Sequence, residues 1–207
     1  MTDPNAPKTF RLRCTYVEQG RLAMLSHLEV AHTLERTVRR AKLPFAISQG
    51  FSPHMKIAFG AALPVGVGST CELFDLQLTR YVPVTEALAA LQQASVPDLM
   101  VQECCYIDGK APAASVAFPF STYEAFFGGP VTQIQVPESI SVVRKRKEKV
   151  LVVADYLVQP FEFIGNRATF MLEALPTGSL RPDVLLEHCE ADADVVSITR
   201  IAQSASR

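Results

Sequence analysis

Residues 9–17 read Thr-Phe-Arg-Leu-Arg-Cys-Thr-Tyr-Val, and the alternation of apolar and polar side chains in this stretch decides the fold class. One set of alternate positions is apolar, and the other set carries Arg11, Arg13 and Thr15. A period of two is the pattern of a half-buried strand, because successive side chains of a strand point to opposite faces. We therefore predict a β-strand here, with a basic face turned to solvent.

A helix is predicted directly after the turn at Gln19-Gly20. Ser26-His27-Leu28-Glu29 has the form of a capping box, in which the first and last of these residues satisfy each other's backbone amides. Apolar residues then recur at steps of three and four until about Lys42, before Pro44 stops the helix. We assign them to the face that packs on the core: Leu28, Ala31, Leu34, Val38 and Ala41.

The remainder of the first half predicts two strands at 54–60 and 70–79, a helix at 84–94 and a strand at 99–107. Together with the first strand and helix, the order is that of a ferredoxin-like βαββαβ unit. We expect this unit to cover residues 8–110, with a linker at 110–114.

The second half predicts a related but degenerate unit over residues 111–207. Its pattern indicates a helix at 182–190 and strands at about 118–127, 149–157, 167–175 and 194–202. The first helix of a complete unit is missing or is replaced by residues 128–141. The predicted fold class is therefore α+β, with tandem ferredoxin-like (βαββαβ) units of which the second is degenerate.

Composition excludes several classes of protein. The chain has 207 residues, 48% of them apolar, and no apolar run reaches the roughly 18–20 residues of a membrane span. The N-terminus has no apolar segment typical of a secretory signal. Five cysteines without a C-x-x-C pair form neither a disulfide framework nor a structural zinc motif. We expect a soluble, cytoplasmic protein without a metal or another cofactor.

Charge is distributed unevenly along the chain, although the net charge is only −1. Residues 8–56 hold nine basic and three acidic residues, whereas residues 57–143 hold two basic and eight acidic ones. A second basic run covers residues 144–149. These clusters are either solvated faces of the protein or contacts for a polyanion such as RNA.

The segment 45–56 concentrates the residue types that bind ligands. Gly50 suits a positive φ or a close approach of the backbone to a ligand. Phe51 is either an exposed platform for stacking a base or a plug in the core. The other candidates for substrate contacts are Ser48, Gln49, His54 and Lys56 in this segment and Arg36, Arg39 and Arg40 on the helix before it.

His27 lies at the first turn of the predicted helix, where it is either a donor at a binding cleft or a local cap partner. Because the segment 45–56 begins where the basic helix stops, we expect one cleft to be lined by His27, Gln49, His54 and either Arg39 or Arg40. No nucleophile elbow, P-loop or dinucleotide-binding fingerprint is present in the sequence.

Four motifs occur in an order that resembles the radical-SAM-linked protein family, a bacterial domain family of unknown function. They are LSHLE at 25–29, the basic stretch from Glu35 to Pro44, SQGFSPH at 48–54 and LPVG at 63–66. The resemblance is specific over residues 11–78. It implies a separate cobalamin-type radical-SAM protein as partner, but it implies no known reaction.

Three hypotheses for function remain open. The first is an accessory, substrate-binding protein that holds an RNA or ribonucleoprotein for the radical-SAM enzyme. The second is an adaptor that binds proteins without contacting nucleic acid. The third is a metal-independent RNA-processing enzyme that uses His27 or His54 as acid or base. At the level of element order alone, the chain also looks like the ferredoxin-like repeats of CRISPR repeat-processing endoribonucleases.

Overall fold

The structure is a computed structural model that describes residues 9–144 and 147–207, and these residues form a mixed α/β fold with two compact units. Among the described residues, the first unit contains residues 9–62 together with Cys71–Val116, and the second contains Leu63–Thr70 together with Ala117–Arg207. The chain therefore passes from one unit to the other after residue 116, whereas the sequence placed the boundary after residue 110. The assignment of residues 63–70 to the second unit has no counterpart in the sequence pattern.

The first unit alternates strands and helices in the order expected from the sequence. Its strands form a sheet in the order β4-β1-β3-β2, in which β1–β4 and β2–β3 are antiparallel pairs. A short helix, α3 (Ala114–Ala117), follows the last of these strands. The preceding elements are β1 (Phe10–Glu18), α1 (His27–Arg40), β2 (Ile57–Phe59), β3 (Val67–Leu78), α2 (Val84–Ala94) and β4 (Val101–Ile107).

Strand β1 has the predicted inward face but not the predicted solvent face. Leu12 and Cys14 are completely buried in the core of the first unit. On the opposite face, the side chains of Arg11 and Arg13 are only 12% and 11% exposed. Both guanidiniums bind the buried carboxylate of Asp75, at 2.6 and 2.7 Å. The expected basic outer surface of β1 is therefore wrong, because these charges are neutralised within the fold.

Helix α1 begins with the predicted capping box. The backbone amide of Ser26 donates to Glu29 Oε2 at 2.8 Å, and the Glu29 amide donates to Ser26 Oγ at 3.4 Å. These contacts lower the pKa of the Glu29 carboxyl, mainly through the hydrogen bond from the Ser26 hydroxyl. The placement of Leu28 on the core face is wrong, since this side chain is exposed while Val30 and Leu34 are buried.

We expect Ser26→Ala to lower the free energy of unfolding by about 1 kcal/mol, because an amide of the first helical turn loses its acceptor. Urea unfolding of the purified protein measures the loss.

A folded-state pKa below the ordinary value means that Glu29 stabilises the fold above its unfolded pKa and that this contribution disappears as the pH falls through the folded pKa. Glu29→Gln is therefore expected to lower the free energy of unfolding at neutral pH and to leave it unchanged in acid. An equal decrease at both pH values would contradict the role of Glu29 in the cap.

The second unit is dominated by strands. Its core includes Phe127, Phe170 and Leu185, all completely buried. Helix α4 (Pro182–Glu187) precedes the final strand. The strands are β5 (Phe120–Phe127), β6 (Ile134–Gln135), β7 (Ser139–Arg144), β8 (Lys147–Val152), β9 (Leu157–Ile164), β10 (Arg167–Leu175), β11 (Gly178–Ser179), β12 (Glu190–Ala191) and β13 (Val195–Ser204).

The segment predicted as one strand at 149–157 differs from the structure. It contains the end of β8, a 3₁₀ turn at Val153–Asp155 and the start of β9. Strand β8 instead pairs with β7, which the sequence analysis missed, and the two form an antiparallel hairpin. The basic run at 144–149 lies at this hairpin, but residues 145 and 146 are outside the described residues.

The sheet of the second unit mixes antiparallel and parallel pairs. The neighbouring strands follow the order β9-β10-β5-β13, and each of these three pairs is antiparallel. Strand β13 also pairs in parallel with the first residues of β3, with Ile198 opposite Val67. Arg200 of β13 is buried, and its guanidinium donates to the Tyr123 hydroxyl at 3.1 Å. In the described part of the chain, no helix is long and apolar enough to cross a membrane.

Candidate functional site

Residues 45–57 form a loop that is held by backbone hydrogen bonds along its two arms. The Lys56 amide donates to the Ala46 carbonyl at 2.8 Å, and the Ser48 amide donates to the His54 carbonyl at 2.7 Å. The base of the loop is attached to β3, because the Ala46 amide donates to the Gln77 carbonyl at 2.7 Å. We call these residues the 45–57 loop. Only residues 57–59 of the predicted strand at 54–60 are a strand, since residues 54–56 belong to the loop.

The tip of the 45–57 loop projects into solvent. Phe51 is fully exposed, which favours the platform over the core plug that the sequence left open. Gly50 has φ +135°, a backbone conformation that disfavours other residues, and a Cβ on it would meet no atom within 4 Å. The positive φ of residue 50, rather than close packing against another atom, therefore explains why glycine occupies this position. Gln49 is also exposed at this tip.

Ser48 and His54 close the tip of the loop. Besides the backbone pair, the His54 amide donates to Ser48 Oγ at 2.9 Å. The hydroxyl is thus engaged in the turn, while the exposed imidazole has no hydrogen bond to another side chain in the described residues. Ser48 is therefore a structural residue of the loop, and His54 is available to a ligand.

The C-terminal end of α1 carries an exposed basic surface. Arg39 lies over the ring of Phe45 with its guanidinium carbon 5.1 Å from the ring centroid, and Arg36 donates to Thr33 Oγ1 at 3.1 Å. Within residues 9–144 and 147–207, no carboxylate lies within 4 Å of the cationic groups of Arg36, Arg39, Arg40, Lys42 or Lys56. Their charges are therefore uncompensated, in contrast to those of Arg11 and Arg13. We call these five residues the basic cluster.

His27 lies at the other end of α1. Its ring meets the ring of Phe59 edge to face, with centroids 5.4 Å apart. His27 and Arg39 are twelve residues apart in the helix, which is about 18 Å along the axis at 1.5 Å per residue. The two residues pack on different aromatic rings at opposite helix ends, so the expected cleft stays a prediction and would have to extend along α1. A ligand that touches both must be extended.

In the described part of the chain, the acidic residues and cysteines form no metal-binding group, and two of the thiols have a raised pKa. No group of three His, Cys, Asp or Glu side chains there is arranged to hold a metal ion. The five cysteines form no disulfide in the described residues. Burial raises the pKa of the Cys14 thiol, and it raises the pKa of the Cys189 thiol to about 11. A thiol with a raised pKa is a poor nucleophile, which argues against either residue as a reactive group.

Comparison with models of known protein families gives a match over most of the chain. A family model described as an uncharacterized protein conserved in bacteria (DUF2344) matches residues 11–159. The match covers more than half of the chain and includes α1, the 45–57 loop and the β7–β8 hairpin. No curated protein matches the chain.

Proposed function

This chain belongs to the bacterial family of uncharacterized proteins (DUF2344), and on that premise we propose that it is an RNA-binding accessory protein. It holds a single-stranded RNA, alone or within a ribonucleoprotein, for a separate enzyme that carries out the chemistry. The motifs that resemble the radical-SAM-linked family supply the proposed partner, a cobalamin-type radical-SAM protein. A cytoplasmic location remains part of this proposal.

One observation carries the RNA proposal: Arg39 of the basic cluster, which has no carboxylate partner in the described residues, lies over Phe45 at the base of the 45–57 loop, and the tip of the same loop carries the fully exposed ring of Phe51. Unpaired Arg and Lys side chains attract a phosphate backbone, and an exposed ring stacks on a base of any identity. The length of α1 also suits an extended ligand such as a strand. These features together favour sequence-tolerant binding of single strands.

The strand order supports the tandem ferredoxin-like arrangement in part. The first unit has the strand order β4-β1-β3-β2, and the second has the order β13-β5-β10-β9. In both units the four strands, counted along the chain, therefore lie in the order fourth, first, third, second. The second unit departs from the pattern, because β5 and β10 are antiparallel and the described residues between them contain no α-helix. A parallel pair would need a crossover connection there. We propose that the first unit is ferredoxin-like and that the second is a rearranged relative of it.

We expect the protein to bind short RNAs with an affinity that falls steeply with salt. Three or four phosphate contacts give a log–log slope of about −2 to −3. The double variant Arg39→Ala/Arg40→Ala is expected to flatten this slope by up to about 1.4 and to weaken binding about 25-fold at 0.1 M salt. Both changes are similar for all sequences, because phosphate contacts do not read bases. Filter binding at several salt concentrations measures them.

A matched control keeps the change in net charge the same. Arg167 and Arg181 are also exposed, but each pairs with a carboxylate, Glu124 and Asp183 respectively. Arg167→Ala/Arg181→Ala is therefore expected to change the salt slope much less. Equal effects of the two double variants would show that only net charge matters, and an absence of RNA binding at low salt would reject the proposal.

The adaptor hypothesis has its own structural support. Met24 and Leu28 are exposed beside the start of α1, and Ile47 is exposed on the 45–57 loop together with Phe51. Exposed apolar side chains of this size are frequent at protein interfaces. If no RNA binds at low salt, this function takes the first place. The enzyme hypothesis has less support, because neither the His27 nor the His54 imidazole has a side-chain hydrogen-bond partner in the described residues that would orient it. Recovery of intact RNA after binding would argue against this hypothesis.

A further inference from the structure

A cavity of about 510 Å³ opens between the C-terminal ends of α1 and α2. This volume is within the range of small-molecule sites, roughly 300–1,000 Å³. The side chains and backbone that line it include Arg40, Lys42, Ala90, Gln93, Ala94 and Ser95. Nothing in the sequence pattern indicated this cavity, since the residues come from two segments that are about fifty positions apart.

Two alanines keep the cavity open. Ala90 and Ala94 are four residues apart on α2, so they lie on the same face of that helix. Gln93 adds an amide that can both donate and accept hydrogen bonds. The lining therefore combines small apolar residues with polar ones, which leaves room for a charged or hydrogen-bonding ligand.

Arg40 and Lys42 give the cavity its charge. Both belong to the basic cluster and lack an ion pair in the described residues. Lys42 has φ +54°, the only non-glycine residue with positive φ in the part of the chain that the structure describes. Glycine is the usual residue at such a position after a helix. A lysine therefore occupies a position where its backbone conformation is disfavoured, and this lysine lines the cavity.

The two helix C-termini disfavour an anion in the cavity, but their partial negative charges are smaller than the positive charges of Arg40 and Lys42. Each helix C-terminus carries a partial charge of about −0.5. The last carbonyls are also partly occupied, because the Lys42 amide donates to the Arg39 carbonyl and Ser95 Oγ donates to the Leu91 carbonyl. Two full positive charges therefore leave the cavity positive.

We propose that this cavity binds the dianionic terminal phosphate of a nucleotide, either a free mononucleotide or the 5′-phosphorylated end of an RNA strand. A terminal phosphate carries a charge of about −1.5 to −2 at pH 7 and matches one guanidinium and one ammonium, whereas an internal phosphodiester carries a single negative charge. The RNA end as a source rests on the proposed function, while binding of a free nucleotide does not.

Calorimetric titration of the full-length protein with adenosine 5′-monophosphate and with adenosine tests the proposal. We expect the monophosphate to bind at least about tenfold more tightly, the gain of one charge-assisted contact. Lys42→Gly is the decisive variant, because glycine accepts the positive φ without strain. It is expected to lose about tenfold in affinity for the monophosphate and to stay folded. Ala94→Leu, which fills the cavity, is expected to lose the binding as well.

A structural role for Lys42 at the helix end predicts a different result, namely altered thermal stability with unchanged affinity for the monophosphate. That result, or equal binding of adenosine and its monophosphate, overturns the proposal. RNA with and without a 5′-phosphate identifies the source: tighter binding of the phosphorylated strand points to the strand end, and equal binding points to a free nucleotide. If RNA does not bind at all but the monophosphate does, the proposed function fails and the cavity site stands.

Discussion

Asp75→Ala is expected to lower the free energy of unfolding by about 3–5 kcal/mol, because it breaks a buried ion pair. The Asp75 side chain is 2% exposed and accepts hydrogen bonds from both Arg11 and Arg13. Its removal leaves two nearly buried guanidiniums without their shared carboxylate. The hydrogen bond to Asp75 raises the pKa of the Arg13 guanidinium in the unchanged protein. An arginine keeps its proton in proteins, so the variant does not escape the penalty by losing this charge.

Urea or thermal unfolding of the purified variant measures this loss. Asp183→Ala is a matched control, because it also removes a carboxylate from an arginine pair, but this pair with Arg181 is much more exposed, at 33% for Asp183 and 49% for Arg181. Exposed pairs contribute about 0–1 kcal/mol, so the control is expected to be nearly neutral. If Asp75→Ala costs no more than Asp183→Ala, the buried pair does not neutralise these charges as the structure indicates.

Phe51→Ala is expected to weaken RNA binding by about 1–3 kcal/mol with little change in the salt slope. The ring is fully exposed, so its removal breaks no contact that holds the fold, and the free energy of unfolding is expected to stay the same. Filter binding at two salt concentrations and circular dichroism of the variant check both statements. A loss of affinity accompanied by a flatter slope would contradict a stacking role.

Phe51→Leu separates stacking from simple apolar contact. Leucine keeps an apolar side chain on the loop but has no aromatic face for a base. In the RNA proposal, Phe51→Leu therefore loses most of the affinity and Phe51→Tyr retains it. In the adaptor hypothesis, the leucine variant keeps much of its binding to a protein partner. A leucine variant that binds RNA like the unchanged protein would exclude base stacking at this position.

Local interactions were the part of the fold that the sequence predicted best. The capping box of α1 was confirmed because its two partners are three residues apart and their geometry depends only on the first helical turn. The inward face of β1 was confirmed for the same reason, since Leu12 and Cys14 need only the alternation of a strand. Several of the wrong assignments depend on distant residues. Arg11 is buried by Asp75 and by the carbonyls of Ala111 and Pro112, which no local pattern connects with β1.

The candidate site was predictable as a set of residue types but not as an arrangement. A polar loop with a phenylalanine is compatible with a buried or an exposed ring, and the outcome depends on whether the arms of the 45–57 loop pair with each other. The expected convergence of His27 and Arg39 ignored the length of α1, which places them at opposite ends. The cavity at Arg40 and Lys42 requires the end of α2, which the sequence pattern left unconnected to α1.

The parallel pairing between β13 and residues 67–69 means that the second unit is assembled from two separate parts of the chain. Ser69 and Arg200 are linked by a hydrogen bond across 131 positions of sequence. During synthesis on the ribosome, residues 63–70 therefore emerge long before the strand that pairs with them. A fragment cut after residue 116 keeps this segment away from its partner, so neither piece of a chain divided at that point contains the whole of the second unit.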